Sequence, residues 1–162
     1  MIAGRLTQPI LRVLDWLRPD HALPDDAPQH LKIGRRGEED AYFYLRRRGY
    51  TMIARNYRSP HCRGELDLVG WDGEVLCFIE VKTRTTRAVK PAEAAVDRDK
   101  QKELRLVARD FLRHMGTPLS PSCRWRFDVV SVYYDRDCRR PSFELFQNAF
   151  PVAYNREFAR SH

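Results

Sequence analysis

The chain has 162 residues, with 29 Lys and Arg against 22 Asp and Glu, a net charge of +7 and a pI of about 9.5. That length is enough for one domain with a real hydrophobic core, and the positive charge favours a nucleic-acid partner. The sequence contains no internal repeat, P-loop or dinucleotide-binding fingerprint, which excludes those classes of protein.

The first 30 residues read as an extension. Residues 4–18 place apolar side chains at helical spacing among arginines, which predicts a short basic amphipathic helix able to touch a membrane or a partner. Its apolar part is too short and too interrupted to span a bilayer. Pro19 to Pro28 reads as a linker. We therefore predict an extension over 1–30 and an α/β domain over 31–162.

A first helix is predicted over Ile33 to Arg48, ended by Gly49. Glu38 lies on its apolar stripe, whereas Glu39 points elsewhere. An acid near the start of a helix is common for electrostatic reasons alone, so Glu38 is either an ordinary first-turn acid or a site residue. The stripe itself consists of Ala41, Tyr42 and Leu45.

Two short apolar strands are predicted over Leu66–Trp71 and Val75–Val81, joined by a two-residue turn at Asp72-Gly73. Because side chains alternate between faces, one face of this hairpin is wholly apolar. That face carries Leu66, Leu68, Val75, Cys77, Ile79 and Val81.

The opposite face of the hairpin is charged at the end far from the turn. The predicted register sets Asp67 opposite Phe78 and Glu65 opposite Glu80, so that Asp67 and Glu80 are diagonal neighbours roughly 7–8 Å apart at Cα. Lys82 follows two residues after Glu80 on the same face. These charges are solvated strand ends, a Lys–Glu pair, or a cluster that holds a divalent metal ion against a phosphodiester, since buried charge needs a partner.

A second helix is predicted from its N-cap Asp97 to His114, followed by a turn-rich connector and a strand over Arg124 to Tyr134. Lys100 falls on the apolar line of this helix and either snorkels to solvent or joins the acidic cluster. Asp128 lies inside the strand. It makes either a structural hydrogen bond or a contact that supports the residues of the site. The apolar stripe of the helix consists of Leu104, Val107, Ala108, Phe111 and Leu112.

An ordered series of motifs resembles the bacterial YraN-type proteins, a group described as endonucleases related to archaeal Holliday junction resolvases. The resemblance covers about residues 31–150. The motifs are Gly34-x-x-Gly37-Glu38-x-x-Ala41, Leu45-x-x-x-Gly49-Tyr50, Asn56-x-Arg58, Gly64-Glu65-Leu66-Asp67, Phe78-Ile79-Glu80-Val81-Lys82-x-Arg84, Ala95-Val96-Asp97-x-x-Lys100, Arg126-Phe127-Asp128-Val129-Val130 and Asn148-Ala149-Phe150.

The resemblance implies a restriction-endonuclease-like PD-(D/E)XK core, a central mixed β-sheet flanked by helices. It implies that the catalytic set is Glu38, Asp67, Glu80 and Lys82. Asp67 and Glu80, with the carbonyl of Val81, would bind Mg²⁺ or Mn²⁺ through oxygen. The Pro-Asp dipeptide of the fold's name is replaced by Leu66-Asp67.

The expected activity is metal-dependent hydrolysis of DNA, branched or otherwise structured, with RNA left open as a substrate. The alternative is a nucleic-acid-binding protein that keeps the nuclease fold and does not cleave, and a third interpretation is an adaptor docked through residues 4–18. Arg58, Arg84 and Lys100 are the candidate DNA contacts, because arginine forks match phosphate geometry. A homodimer is expected by analogy with junction resolvases.

The four cysteines show no CxxC or CxxH spacing, which argues against a zinc site built on them. Cys77 reads as core, and His61-Cys62 as loop residues or a reactive pair. Since no secretory signal is present, reduced thiols and a cytoplasmic location are expected.

Overall fold

A computed structural model of the chain describes residues 24–84, 96–115, 124–134 and 140–152. Two helices and five strands make up these residues. In chain order they are α1 (Gln29–Arg47), β1 (Thr51–Arg58), β2 (Glu65–Asp72), β3 (Val75–Arg84), α2 (Arg98–His114), β4 (Trp125–Tyr134) and β5 (Pro141–Phe150). The amphipathic helix predicted over 4–18, the connector at 116–121 and two of the cysteines, Cys123 and Cys138, lie outside the described residues.

The five strands form one sheet in the order β1-β2-β3-β4-β5. Among the described strands, β3 and β4 are the one parallel pair of neighbours, because α2 crosses over between them. The other neighbouring strands are antiparallel. α1 packs its buried Ala41 and Leu45 on one face, and α2 packs its whole predicted stripe on the other. The expectation of an α/β fold with a mixed sheet between helices is confirmed.

The ends of both helices follow local sequence signals. α1 ends before Gly49, which adopts a positive φ of 94° as predicted, although the helix begins at Gln29, four residues earlier than expected. Asp97 caps α2, and its carboxylate accepts hydrogen bonds from the N–H groups of Asp99 and Lys100. The division of the chain at residue 30 stays a prediction.

The turn of the β2–β3 hairpin lies one residue later than predicted. Asp72 pairs with Val75, so the turn residues are Gly73 and Glu74, and Gly73 supplies the positive φ of 58°. Asp72 stays in the strand because Arg126 on β4 binds its carboxylate at 2.7 Å. Every partner on β3 therefore shifts by two residues relative to the predicted register.

The shifted register corrects three predicted contacts. Val69, not Asp67, pairs with Phe78, and Glu65 pairs with Arg58 of β1 instead of Glu80. The pairing of β2 with β3 ends at Leu68 and Ile79, so the predicted pairing that made Asp67 and Glu80 diagonal neighbours is not formed. The predicted face was also wrong for Leu66, which packs in the α2-side cluster, whereas Leu68 and the fully buried Cys77 lie on the α1 side.

Asp128 belongs to a structural network on the α1 side of the sheet. It is fully buried and accepts hydrogen bonds from Arg126 at 2.8 Å and from the N–H of Asn148 at 2.9 Å. Arg126 in turn binds Asp72 at the hairpin turn. Of the two roles left open for Asp128, the structural hydrogen bond is therefore the one observed, because Glu80 pairs with Val129 and faces the opposite side.

Candidate functional site

The candidate site begins where β2 and β3 stop pairing. Their last paired residues are Leu68 and Ile79. Beyond that point, the Asp67 carboxylate accepts a hydrogen bond from the N–H of Val81 at 2.7 Å, in place of a strand–strand bond. Asp67 and Glu80 lie side by side as a result, and their side chains are only 7% and 5% exposed.

Glu80 has one satisfied and one unsatisfied carboxylate oxygen. Oε1 lies 2.8 Å from Nζ of Lys82, two residues along the strand. Oε2 is buried and makes no hydrogen bond, because Nζ of Lys100 is 3.8 Å away, too far for one. An unsatisfied buried carboxylate oxygen is costly, and it is a suitable ligand for a cation.

The electrostatics of Asp67 and Lys100 show how strongly the charges interact. Burial raises the pKa of Asp67 well above its usual range, and the Glu80 carboxylate beside it, with a smaller effect of Glu38, raises it further. The Val81 hydrogen bond and Lys100 oppose that change. For Lys100, burial alone lowers the pKa, but Glu80 and Glu103 raise it above the ordinary value. Lys100 thus joins the acidic cluster instead of extending into solvent.

Glu38 reaches the site from the other side of the sheet. α1 approaches β3 closely at Gly37, where an added Cβ would lie 1.9 Å from Oγ1 of Thr83. This contact brings the next residue, Glu38, near the strand end, and its charge contributes to the raised pKa of Asp67. Glu39 is exposed, as predicted. The structure therefore draws Glu38, Asp67, Glu80 and Lys82 toward one end of the sheet.

The predicted DNA-contacting residues differ in their surroundings. Arg58 is 78% exposed and binds Glu65 at 2.6 Å, so it lies on the surface one strand away from the acidic residues. Arg84 ends β3, and its buried Nε has no hydrogen-bond partner. Lys100 bridges toward Glu80 from α2. Of the three, Lys100 is the one with a contact to Glu80, and Arg58 is the one that is largely open to solvent.

These donors fit a hard divalent cation. Two carboxylates, one with an unsatisfied oxygen, provide the oxygen ligands that Mg²⁺ and Mn²⁺ prefer. The ammonium group of Lys82, held 2.8 Å from Glu80, is placed to meet negative charge that arrives at the same point. The arrangement can therefore bind a metal and stabilise an anion at one strand end.

A second cluster of potential ligands was missed by the sequence reasoning. It consists of His61, Asp110 and His114. Each of these residues offers one ligand atom, and the three atoms all lie within 4.8 Å of one another. Among the described residues, this is the group of three histidine, cysteine or acidic side chains that lies close enough together to hold a metal ion. The spacing of Asp110 and His114, four residues apart on α2, was a signal available in the sequence. The contact with His61, 49 residues from Asp110, was not.

Comparison with known proteins places this chain in a defined group. A model of the uncharacterised protein family UPF0102 matches residues 37–132. A UPF0102 protein of Koribacter versatilis is 52% identical over 146 residues, which cover 89% of this chain and 94% of the relative. Those of Solibacter usitatus and Pelotomaculum thermopropionicum are 44% and 43% identical, over 72% and 73% of this chain. The resemblance read from the motifs is confirmed.

Proposed function

The chain belongs to the uncharacterised protein family UPF0102, and from the acidic residues at the end of its sheet we propose that it is a Mg²⁺- or Mn²⁺-dependent endonuclease acting on DNA. The observation that carries the proposal is the pair Asp67 and Glu80. Both side chains are more than nine-tenths buried, they lie side by side, and one oxygen of Glu80 is unsatisfied. Such a pair destabilises a fold unless a cation neutralises it.

The architecture supports the finer proposal that the domain has a PD-(D/E)XK core. The resemblance implies a central mixed β-sheet flanked by helices for that core. Here β2 and β3 form the hairpin, β4 is the parallel neighbour, and one helix covers each face. The carboxylates lie where the hairpin opens, so a substrate can approach them from the strand ends.

The proposed roles follow from the contacts. Asp67, Glu80 and the carbonyl of Val81 hold the metal, which when bound polarises the scissile phosphate and lowers the pKa of a water molecule. Lys82 stabilises the negative charge that develops on the phosphate, because its ammonium is already fixed beside Glu80. Glu38 positions the attacking water or the ion from the α1 side.

Substrate binding is proposed to use Arg58, Arg84 and Lys100 around these carboxylates. The net charge of +7 supports a polyanionic substrate, and phosphate contacts supply most of the affinity for DNA without regard to sequence. A preference for branched DNA and a dimeric state are proposals by analogy with junction resolvases. No helix in the described part of the chain is long and apolar enough to cross a membrane.

A second candidate function is a nucleic-acid-binding protein that keeps this fold without cleaving. One observation favours it: Lys82 and Lys100 both lie near Glu80, so its negative charge is compensated in part without a metal. The two candidates differ in one measurable respect. An enzyme needs the carboxylate of Asp67 for turnover, whereas a binding protein loses nothing, and gains affinity, when that negative charge is removed.

The test is cleavage of duplex, single-stranded and four-way-junction DNA with Mg²⁺ or Mn²⁺ by the full chain and by Asp67→Asn. Asp99→Asn is the matched control, because Asp99 is 91% exposed and pairs only with Lys102 on the surface of α2. We expect Asp67→Asn to bind DNA and lose cleavage, and Asp99→Asn to cleave normally. Equal cleavage by the wild type and Asp67→Asn would assign the activity to a contaminant and favour the binding protein.

A further inference from the structure

The last turn of α2 and the loop between β1 and β2 form a second site, remote from the acidic one. Asp110 lies ten residues after Lys100, which is about 15 Å along the helix. We propose that His61, Asp110 and His114 bind a transition-metal dication of the zinc class, which fastens the loop of residues 59–64 to α2. This inference does not depend on the proposed nuclease function.

The ligand atoms are already close to metal-binding geometry. Asp110 Oδ1 lies 3.2 Å from Nδ1 of His61, and Oδ2 lies 3.3 Å from Nδ1 of His114. Two ligands on a tetrahedral zinc ion, each bonded at roughly 2.0–2.1 Å, lie about 3.3 Å apart. The widest separation within the group, at most 4.8 Å, closes by rotation of the His61 side chain, which is 66% exposed.

Outer contacts hold the carboxylate in place. The hydroxyl of Tyr57 donates to Asp110 Oδ2 at 3.0 Å. This hydrogen bond orients the Asp110 carboxylate, which is itself buried. Partners of this kind are typical of metal sites, where they fix the orientation of the ligands.

The histidines determine which class of metal is expected. Imidazole nitrogen suits zinc, copper, nickel and iron, whereas Mg²⁺ prefers a shell made of oxygen. His114 Nδ1 also lies 2.9 Å from the main-chain carbonyl of Asp110. To bind a metal, Nδ1 would have to present its lone pair to the ion, with the ring proton on Nε2, and the contact with that carbonyl would be given up. With three protein ligands, the fourth position on the ion is open to solvent.

The site lies where the loop between β1 and β2 packs along α2. The loop runs along α2: His61 contacts Asp110 at the C-terminal end of the helix, and Gly64 lies against the Glu103 side chain. β2, which carries Asp67, begins directly after Gly64. A metal bound at this site would therefore hold the loop from which the Asp67 strand begins.

Zinc titration calorimetry of the full chain, first treated with EDTA, tests the assignment. We expect one zinc ion per chain and a Kd that rises roughly 100-fold or more in both His61→Ala and His114→Ala. His30→Ala, which removes an exposed histidine from the first turn of α1, should bind zinc as the wild type does. Millimolar Mg²⁺ should not displace the zinc.

Two further measurements keep the test decisive. His61→Gln and His114→Gln retain polar side chains, so they replace the alanine variants if circular dichroism shows that these are unfolded. Zinc should also slow tryptic cleavage after Arg63, in the loop, and should fail to do so in His114→Gln. Wild-type zinc affinity in both histidine variants would overturn the site, and proteolysis that zinc does not slow would overturn the attachment of the loop to α2.

Discussion

Gly37→Ala tests how closely α1 must approach β3 to bring Glu38 to the acidic site. A Cβ at position 37 would lie 1.9 Å from Oγ1 of Thr83 and 3.1 Å from its Cβ. Rotation of Thr83 can remove the first clash, but the Cβ contact remains tight, and a β-branched side chain has few alternatives at χ1. We therefore expect α1 to be pushed away from the strand that carries Glu80.

The magnitude follows from two opposing effects. Alanine is more favourable than glycine inside a helix by up to about 1 kcal/mol. Inserting a methyl group into a packed contact costs about 1–3 kcal/mol. Gly37→Ala should therefore lower the free energy of unfolding by up to about 2 kcal/mol. Gly34→Ala, in the same helix with nothing within 4 Å of its new Cβ, should raise it by up to about 1 kcal/mol.

Urea denaturation followed by circular dichroism measures both variants, and Thr83→Ala supplies the second-site control. Because Thr83→Ala removes the clashing Oγ1, it should restore part of the stability that Gly37→Ala loses. DNA cleavage, if present, should fall more in Gly37→Ala than in Gly34→Ala, because only the former displaces Glu38. Equal stabilisation by both glycine substitutions would refute the close approach of α1 to β3.

Three further predictions concern the acidic residues, the basic surface and the buried network. Burial and Glu80 raise the pKa of Asp67, so without metal the folded chain holds that proton more tightly than the unfolded chain. Unfolding free energy measured in EDTA should fall as pH rises from about 3.9 to the raised pKa, and Asp67→Asn should abolish the fall. Millimolar Mg²⁺ or Mn²⁺ should raise the melting temperature of the wild type and leave that of Asp67→Asn unchanged. Arg58→Ala should weaken DNA binding and reduce the slope of log K against log salt by about one in a salt titration; an unchanged slope would remove Arg58 from the interface. Asp128→Ala should cost about 1–3 kcal/mol in urea denaturation because it removes a fully buried carboxylate that accepts hydrogen bonds from Arg126 and from the N–H of Asn148, although Arg126 keeps its ion pair with Asp72, whereas Lys102→Ala, at an exposed ion pair, should cost less than about 1 kcal/mol.

Much of the fold follows from local sequence. The nearly continuous apolar run over Val75–Val81 predicts β3, because a strand covered on both faces needs apolar side chains on both. The Asp97 cap and the stripe from Leu104 to Leu112 predict α2 almost to the residue. Glu80 and Lys82 must share a face wherever the strand pairs, because they are two residues apart. Their ion pair therefore follows from the sequence, and the structure has it at 2.8 Å.

Other features depend on contacts between segments distant in the chain. In the hairpin, Asp72 stays in the strand and its carboxylate binds Arg126 of β4. Turn preferences assign Asp72 to the turn because they depend only on residues adjacent in the sequence. Asp128 is structural for a similar reason. Its carboxylate binds Arg126 on its own strand, β4, and accepts a hydrogen bond from the N–H of Asn148 on β5.

The sequence by itself determined which residues of the candidate site are charged and which strands carry them. Only the tertiary structure decided that Asp67 and Glu80 are buried beside each other, that Lys100 turns inward, and that His61 meets Asp110. The physical reason is that a strand or helix pattern is encoded within a few residues, whereas burial and charge pairing depend on which segments pack together. A carboxylate destabilises the fold, and so indicates a functional site, only once those segments have excluded water from it.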